Sequence, residues 1–210
     1  LRNLTDCRLY GILDLNYVAE PDAERVVAAM IEGGVDLIQL RAKKSSSAEI
    51  MHLAAKLHAI TSAAGVPLIV NDYAEIAARV PVEGVHLGQD DDSIAHARKK
   101  AGRDILIGKS THSLEQAVAA VDEGADYIGF GPIFATPTKP DYQPIGITGI
   151  KRVHNEVGVP IFCIGGIKIN NLGEIIAAGA KRVAIVSGLL KAPDIVKYAR
   201  ACKSLLEPET

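Results

Sequence analysis

The stretch Glu123–Pro140, EGADYIGFGPIFATPTKP, carries one complete unit of the architecture. An acidic helix end closes on Gly124, a residue that readily takes the left-handed conformation following a helix. Asp126–Gly131 is then a short apolar run with no polar alternation, the pattern of a strand buried on both faces. The run breaks at Gly131-Pro132 and gives way to a polar stretch holding Thr136, Thr138 and Lys139. A core strand that ends in hydroxyls and one ammonium has the composition of a site that receives an anion. Pro132, Pro137, Pro140 and Pro144 predict an ordered, poorly helical excursion, and long loops of this kind often serve as functional lids.

The same unit recurs along the chain. Apolar runs lie at Leu9–Leu15, Asp36–Arg41, Pro67–Asn71, Gly84–Gly88, Ile105–Ser110, Pro160–Gly165 and Arg182–Ser187. Helical periodicity falls at Glu24–Glu32, Glu49–Ser62, Ile94–Lys100, Leu114–Glu123, Ile150–Val157 and Leu172–Ala178. The joints EGGVD, AAGVP, EGADY, EVGVP and AAGAK place a glycine between helix and next strand. The units share no close residue-level identity, so the repeat is structural. Eight strand–helix units predict an α/β protein, a single-domain (β/α)8 TIM barrel over residues 1–210. The competing open, doubly wound sheet calls for a Gly-x-Gly-x-x-Gly turn after its first strand. Here Leu15 is followed by Asn16-Tyr17. No Pro/Gly/Ser tract or charge block suggests a linker.

Composition removes several function classes. With 48% apolar and 23% charged residues, the 210-residue chain reads as an ordinary globular protein. A net charge of −2 provides no basic field for nucleic acid and no polybasic membrane patch. The apolar runs are too short to span a bilayer, and no signal-peptide pattern opens the chain. It begins at Leu1 rather than Met, which leads us to expect residues ahead of it. Cys7, Cys163 and Cys202 are odd in number and far apart, as expected for reduced thiols in a cytoplasmic protein.

In such barrels the active site lies at the carboxyl ends of the strands. The second strand ends in Gln39, Arg41 and Lys43, which share one face. That set suits a di- or polyanion attached to a hydrogen-bonding heterocycle; the competing reading pairs Arg41 with a neighbouring carboxylate. The third strand ends in Asn71-Asp72 and the fourth in Gly88-Gln89-Asp90-Asp91-Asp92. Neighbouring strands can bring Asp72 and one of Asp90–Asp92 to a common hard cation. Mg²⁺ fits, because it binds through one or two carboxylates and keeps waters and substrate phosphates. Against this, Asp91 and Asp92 could simply cap the helix beginning near Ser93. Ser110 ends the fifth strand as a candidate ligand contact, and Ser113 reads as a helix cap with His112 packed beside it. The seventh and eighth strands end in Gly165-Gly166 and Val186-Ser187-Gly188, where barrels commonly bind a phosphate monoester through backbone N–H groups. The alternative is that these glycines only permit tight turns. No Ser/His/Asp arrangement is evident. Two anion sites, one metal-assisted and one built from backbone, suggest a transfer with diphosphate as leaving group.

These pieces resemble the thiamine phosphate synthase (thiamine-phosphate pyrophosphorylase) family. The matching segments are QLRAK at 39–43, ND at 71–72, GVHLGQDD at 84–91 and IGKSTH at 107–112. GADYIGFGPIFATPTK at 124–139, IGGI at 164–167 and AIVSG at 184–188 complete the set. The resemblance implies joining 4-amino-2-methyl-5-hydroxymethylpyrimidine diphosphate to 4-methyl-5-(2-hydroxyethyl)thiazole phosphate, with release of diphosphate. It implies that Gln39, Leu40, Arg41, Ala42, Lys43, Asn71, Ser110 and Lys139 hold the pyrimidine substrate. Arg41, Lys43, Ser110 and Lys139 would be the catalytic set. It further implies Mg²⁺ on Asp72 and Asp91, with Thr136, Pro137, Thr138, Gly166, Val186 and Ser187 at the thiazole phosphate. The implied chemistry is dissociative and needs no general base. Ala42 stands where the family commonly has Glu, and Tyr73 where Arg is frequent. A related thiazole tautomerase carries a histidine base after the sixth-strand glycine, where this chain has Pro132. The expected partners are small-molecule substrates and, as a possible assembly, further copies of the chain; neither nucleic acid nor membrane is expected.

Overall fold

In the computed structural model, which describes residues 3–102, 104–138 and 142–207, eight parallel strands close into a barrel in sequence order. They are β1 (Leu9–Asp14), β2 (Leu37–Arg41), β3 (Leu68–Asn71), β4 (Gly84–Leu87), β5 (Leu106–Thr111), β6 (Tyr127–Phe130), β7 (Ile161–Ile164) and β8 (Val183–Ile185). The register β1–β8, Tyr10↔Ala184, closes the ring. The outer layer holds α1 (Ala23–Glu32), α2 (Ser47–Ala63), α3 (Ala74–Ala77), α4 (Ile94–Ala101), α5 (Leu114–Asp122), α6 (Ile150–Glu156), α7 (Ile169–Ala177), α8 (Ser187–Leu190) and α9 (Ile195–Leu206). Among the described residues no helix is long and apolar enough to cross a membrane.

Three helices lie outside the periodic stretches. α3 and α8 span four residues each, too few to show a period. The third covers Ile195–Leu206 and buries Ala199, Cys202 and Leu206 at helical spacing, an amphipathic stripe not anticipated from the sequence. Asp194 adds a second signal, its carboxylate accepting from the Lys197 amide at 3.0 Å as an N-cap. The glycine joints also need one correction. Gly34, Gly65, Gly124 and Gly179 take the positive φ that a helix exit favours, but Gly158 does not. There α6 leaves through Val157 in extended conformation. Gly102, after α4, supplies a left-handed exit not anticipated from the sequence.

Side chains alternate between two environments, as strand geometry requires. Outward residues such as Ile38, Leu40, Val85 and Ile128 pack with the helices in one continuous apolar layer. Inward residues Tyr10, Leu37, Ile69, Tyr127 and Phe162 fill the barrel. Tyr10, Tyr127 and Phe162 meet edge to face at centroid distances of 5.2–6.0 Å, the arrangement that aromatic quadrupoles favour. The barrel interior is therefore a packed floor, with room for a ligand only above it.

The amino-terminal ends of the strands carry a repeated latch. An acid precedes each of β2, β4 and β6: Asp36, Glu83 and Asp126. Each accepts an amide from the start of the preceding strand. Leu9 N–H donates to Asp36 at 3.0 Å, Leu68 N–H to Glu83 at 2.7 Å, and Ile107 N–H to Asp126 at 2.7 Å. A helix completes each latch with Lys203 on Asp36, His58 at 3.2 Å from Glu83, and Arg98 at 2.7 Å from Asp126. Burial alone would raise the Asp36 carboxyl. The ammonium of Lys203 and the amides of Arg8 and Leu9 instead hold it below its usual value. The pattern is legible in VDLIQL, VEGVHL and ADYIGF once the strand register is known.

Candidate active site

At the opposite, carboxyl-terminal end of the barrel a pocket opens above the aromatic floor. Gln39 and Arg41 from β2, Asn71 from β3 and Ser110 from β5 line it, together with Thr136 and Thr138 from the loop after β6. Gly166, Val186 and Ser187 line it from β7 and β8. Leu40 and Ala42 lie on the other face of β2, buried in the outer apolar layer, so only their backbone can serve a ligand. Pro137 is exposed and off the lining. Lys139 lies outside the described residues.

Arg41 is held by a residue that the sequence reading passed over. Asp14, fully buried at the end of β1 and in register with Arg41, accepts from its guanidinium at 2.5 Å. The pairing with a neighbouring carboxylate and the ligand-facing position thus hold together: Arg41 lines the pocket while Asp14 fixes its direction. The available signal was that Asp14 falls on the same face as Tyr10 and Ile12.

Asp72 and Asp91 meet beside the pocket, and Lys43 pairs with Asp72. Burial pushes the Asp72 carboxyl up, and Asp91 adds to the rise against the pull of Lys43. Burial would raise Asp91 as well, but hydrogen bonds from Asp72 and the Gly88 amide, with Lys43 and Lys109 nearby, carry it below the ordinary range. Two acids close enough to share a proton are the kind of pair that a divalent cation relieves. Asp72 is also the one non-glycine described residue with positive φ, at 70°. An aspartate there carries backbone strain of about 1 kcal/mol. The capping alternative for the acidic triplet is not what the structure adopts. Ser93 caps α4, Asp91 accepts from Gly88 N–H at 2.6 Å, and Asp92 pairs with Lys100 at 2.8 Å. No group of three or more His, Cys, Asp or Glu gathers around one point among the described residues. A two-carboxylate donor set fits Mg²⁺ completed by waters and phosphate oxygens, and it does not fit a structural zinc site.

The other side of the pocket is built by close backbone approach. A Cβ on Gly165 would fall 2.4 Å from the Pro132 side chain, and one on Gly166 only 2.8 Å from the Ala135 carbonyl. Both glycines take positive φ. They let the loop after β6 pack onto the turn after β7, which brings Thr136 to the pocket wall. Tyr17 then ties the loop down, its hydroxyl 3.0 Å from Thr138 Oγ1. Tyr17 sits outside every periodic segment, and nothing in the sequence singles it out.

His112 also differs from expectation. Ser113 does cap α5, accepting from Gln116 N–H at 3.2 Å. The imidazole, however, lines the pocket, with Nδ1 on the Gly131 carbonyl, a tilted ring contact to Tyr142 at 4.6 Å, and Nε2 buried without a partner among the described residues. A carbonyl at Nδ1 fixes the tautomer and leaves Nε2 as an acceptor.

The family model described as thiamine monophosphate synthase matches residues 9–189. A thiamine-phosphate synthase of Chloroflexus aurantiacus is 41% identical over 207 residues, covering 98% of this chain and 95% of that one. A second, from Halalkalibacterium halodurans, is 40% identical and covers 97% of each chain. Among solved structures, thiamine phosphate pyrophosphorylase from Pyrococcus furiosus superposes with a TM-score of 0.88 at 30% identity, covering 97% of this chain and 96% of that one. A 3-hexulose-6-phosphate synthase, at 18% identity and a TM-score of 0.69, shares the fold alone. With a family model covering most of its length and relatives near 40% identity end to end, the chain belongs to the thiamine monophosphate synthase family.

Proposed function

We propose that this protein is a thiamine-phosphate synthase. It condenses 4-amino-2-methyl-5-hydroxymethylpyrimidine diphosphate with 4-methyl-5-(2-hydroxyethyl)thiazole phosphate, yielding thiamine phosphate and diphosphate. The observation that carries the reading is the division of one pocket. The Asp72–Asp91 carboxylate pair, with Asp72 in a strained backbone, stands at one side with Lys43 and Arg41. Hydroxyls and glycine turns from β6, β7 and β8 stand at the other. The family's name is what attaches these particular substrates to a pocket of that shape.

In this reading the diphosphate lies against Arg41 and Lys43. Arg41 is pre-aimed by Asp14, so little conformational freedom is lost on binding. Asp72 and Asp91 would hold Mg²⁺, which when bound supplies Lewis-acid neutralisation of the leaving diphosphate. Gln39 and Asn71 orient the aminopyrimidine. The bond from its exocyclic methylene to the diphosphate oxygen breaks, and the electron pair leaves with diphosphate. The electron-rich ring stabilises the resulting methylene cation, and the thiazole nitrogen donates its lone pair to form the new C–N bond. No proton has to move in these steps, so no general base is required. Thr136, Thr138, Ser187 and the Gly166 turn hold the thiazole phosphate, and the packed loop excludes water that would capture the cation. By the family resemblance, Lys139 would contact the pyrimidine substrate. Pro132, in the place of the tautomerase's histidine, supports the synthase over that relative. The three buried free thiols support a cytoplasmic setting.

The test is direct. Incubation with both substrates and Mg²⁺ should yield thiamine phosphate and diphosphate in equal amounts. Intact, folded protein that makes neither sinks the proposal. Asp72→Ala should weaken Mg²⁺-dependent binding of the pyrimidine diphosphate and leave thiazole phosphate binding nearly intact. Equal loss of both would count against two separate subsites.

A further inference from the structure

Beneath the pocket a chain of hydrogen bonds crosses the barrel from β2 to β5. Gln39 Nε2 donates to the Tyr10 hydroxyl at 2.6 Å. The Tyr10 and Tyr127 hydroxyls are 3.0 Å apart, Tyr127 Oη is 3.1 Å from His86 Nδ1, and His86 Nε2 is 3.0 Å from Ser110 Oγ. Tyr10, Gln39, Tyr127 and His86 are all buried. The crossing requires Gly108 on β5, in register with both His86 and Tyr127. A Cβ there would stand 2.1 Å from the Tyr127 ring and 2.5 Å from His86 Nδ1.

Direction follows from donor counting. With the Gln39 amide donating to Tyr10, the Tyr10 proton goes to Tyr127 and the Tyr127 proton to His86 Nδ1. His86 is then the Nε2–H tautomer and donates to Ser110, whose own proton remains for a ligand. At the other end Gln39 Oε1 remains as an acceptor. With every proton used inside the chain, reversing one member reverses them all, so the two ends are coupled in polarity.

We propose that Tyr10, Tyr127 and His86 form a polarity relay that sets Ser110 as a hydrogen-bond donor and Gln39 as an acceptor toward the pocket. The relay selects a ligand that carries an anionic oxygen at β5 and an N–H donor at β2. The three residues are positioning residues, acting through Ser110 and Gln39. The relay is read from geometry alone, while its use in binding the aminopyrimidine diphosphate rests on the synthase reading above. Neutral polar groups are economical in such a place: each buried hydroxyl is satisfied, and no buried charge is needed to hold Ser110 in one orientation.

Two measurements test it, and the first needs no ligand. Nitrogen-15 imidazole shifts of His86 in the natural protein should report Nε2 protonated and Nδ1 unprotonated. The Nδ1–H tautomer overturns the proposal whether or not the protein is a synthase. The second is calorimetric binding of the pyrimidine diphosphate to a double-mutant cycle. Tyr127→Phe keeps the ring in the floor and removes only the hydroxyl. It should raise Kd about tenfold in the natural background, as expected for one charge-assisted hydrogen bond, and less than about twofold in Ser110→Ala. Thiazole phosphate affinity should stay unchanged. Equal weakening in both backgrounds would mean that Tyr127 acts only through packing and would overturn the relay. Absence of pyrimidine diphosphate binding to the natural protein would count against the synthase reading, and the imidazole shifts would then decide the relay.

Discussion

The two ends of the barrel use the same side chains for opposite purposes. At the amino-terminal end, Asp36, Glu83 and Asp126 each accept a strand amide and face a cation or imidazole from a helix. At the carboxyl-terminal end, Asp72 and Asp91 face each other, and Asp72 holds a left-handed backbone. Burial works on both sets. The lower carboxylates are satisfied from the protein's own backbone, so the depressed Asp36 acid stabilises the fold. In the upper pair only Asp91 has a backbone donor among the described residues, the Gly88 N–H, and burial with repulsion from Asp91 raises Asp72. A carboxylate contributes to stability where the chain itself completes its coordination, and to binding where completion is left to a ligand.

The largest expected effect tests the upper face. Asp72→Asn keeps a residue that tolerates positive φ and removes one charge of the crowded pair. Under the synthase reading kcat/KM should fall roughly 10²–10³-fold, the scale of lost metal-assisted charge stabilisation, while the thermal midpoint holds or rises. A parallel fall in stability would erase the contrast between the faces. The mirror experiment is Asp36→Ala, which strands Lys203 and two amides. It should cost about 3 kcal/mol, seen in urea or thermal unfolding, with kcat/KM of the folded enzyme at 25 °C within about twofold of the natural value.

A smaller effect refines the picture at Asp14, an upper-face carboxylate that is satisfied. Asp14→Asn should raise the KM for the pyrimidine diphosphate about tenfold, since Arg41 loses its charged anchor, and change kcat less. A drop confined to kcat would mean that Arg41 acts mainly on the departing diphosphate. The smallest effect concerns acid. His154 on α6 is half-buried, its Nε2 buried without a partner among the described residues, and burial, with Lys181 and Arg182, lowers its pKa from 6.5 to about 4. Between those values the unfolded chain binds the extra proton. The contribution of neutral His154 is therefore intact above about pH 6.5 and declines as pH falls toward 4. His154→Leu should flatten the stability profile in that window. Asp36 is separable, because a depressed carboxylate loses its contribution only at lower pH, on passing through its folded value.

Much of this site was legible along the chain because barrel geometry turns strand ends into one surface. Once Asp72 and Asp91 are each assigned to a strand end, their meeting follows, and so does the common face of Gln39 and Arg41. Asp14, Tyr17 and His86 were not legible in the same way. Asp14 looks like the end of an apolar run until the β1–β2 register sets it opposite Arg41. Tyr17 belongs to no period. His86 reads as one polar residue in a core strand until Gly108 is seen to leave the gap through which it reaches Tyr127. The EVGVP joint shows the converse, a local signal overridden when α6 exits through Val157 without a left-handed turn.

What the linear chain settles is periodicity: eight buried runs, six of the helices between them, and the polar groups where each run stops. Those are local properties, governed by side-chain chemistry and the spacing of apolar residues. Only tertiary structure decides which polar groups meet, because that depends on register between strands far apart in sequence. Register makes Asp36 a latch and Asp72 half of a strained pair. It also leads Gln39 across the floor to Ser110, through residues separated by as much as 117 positions along the chain.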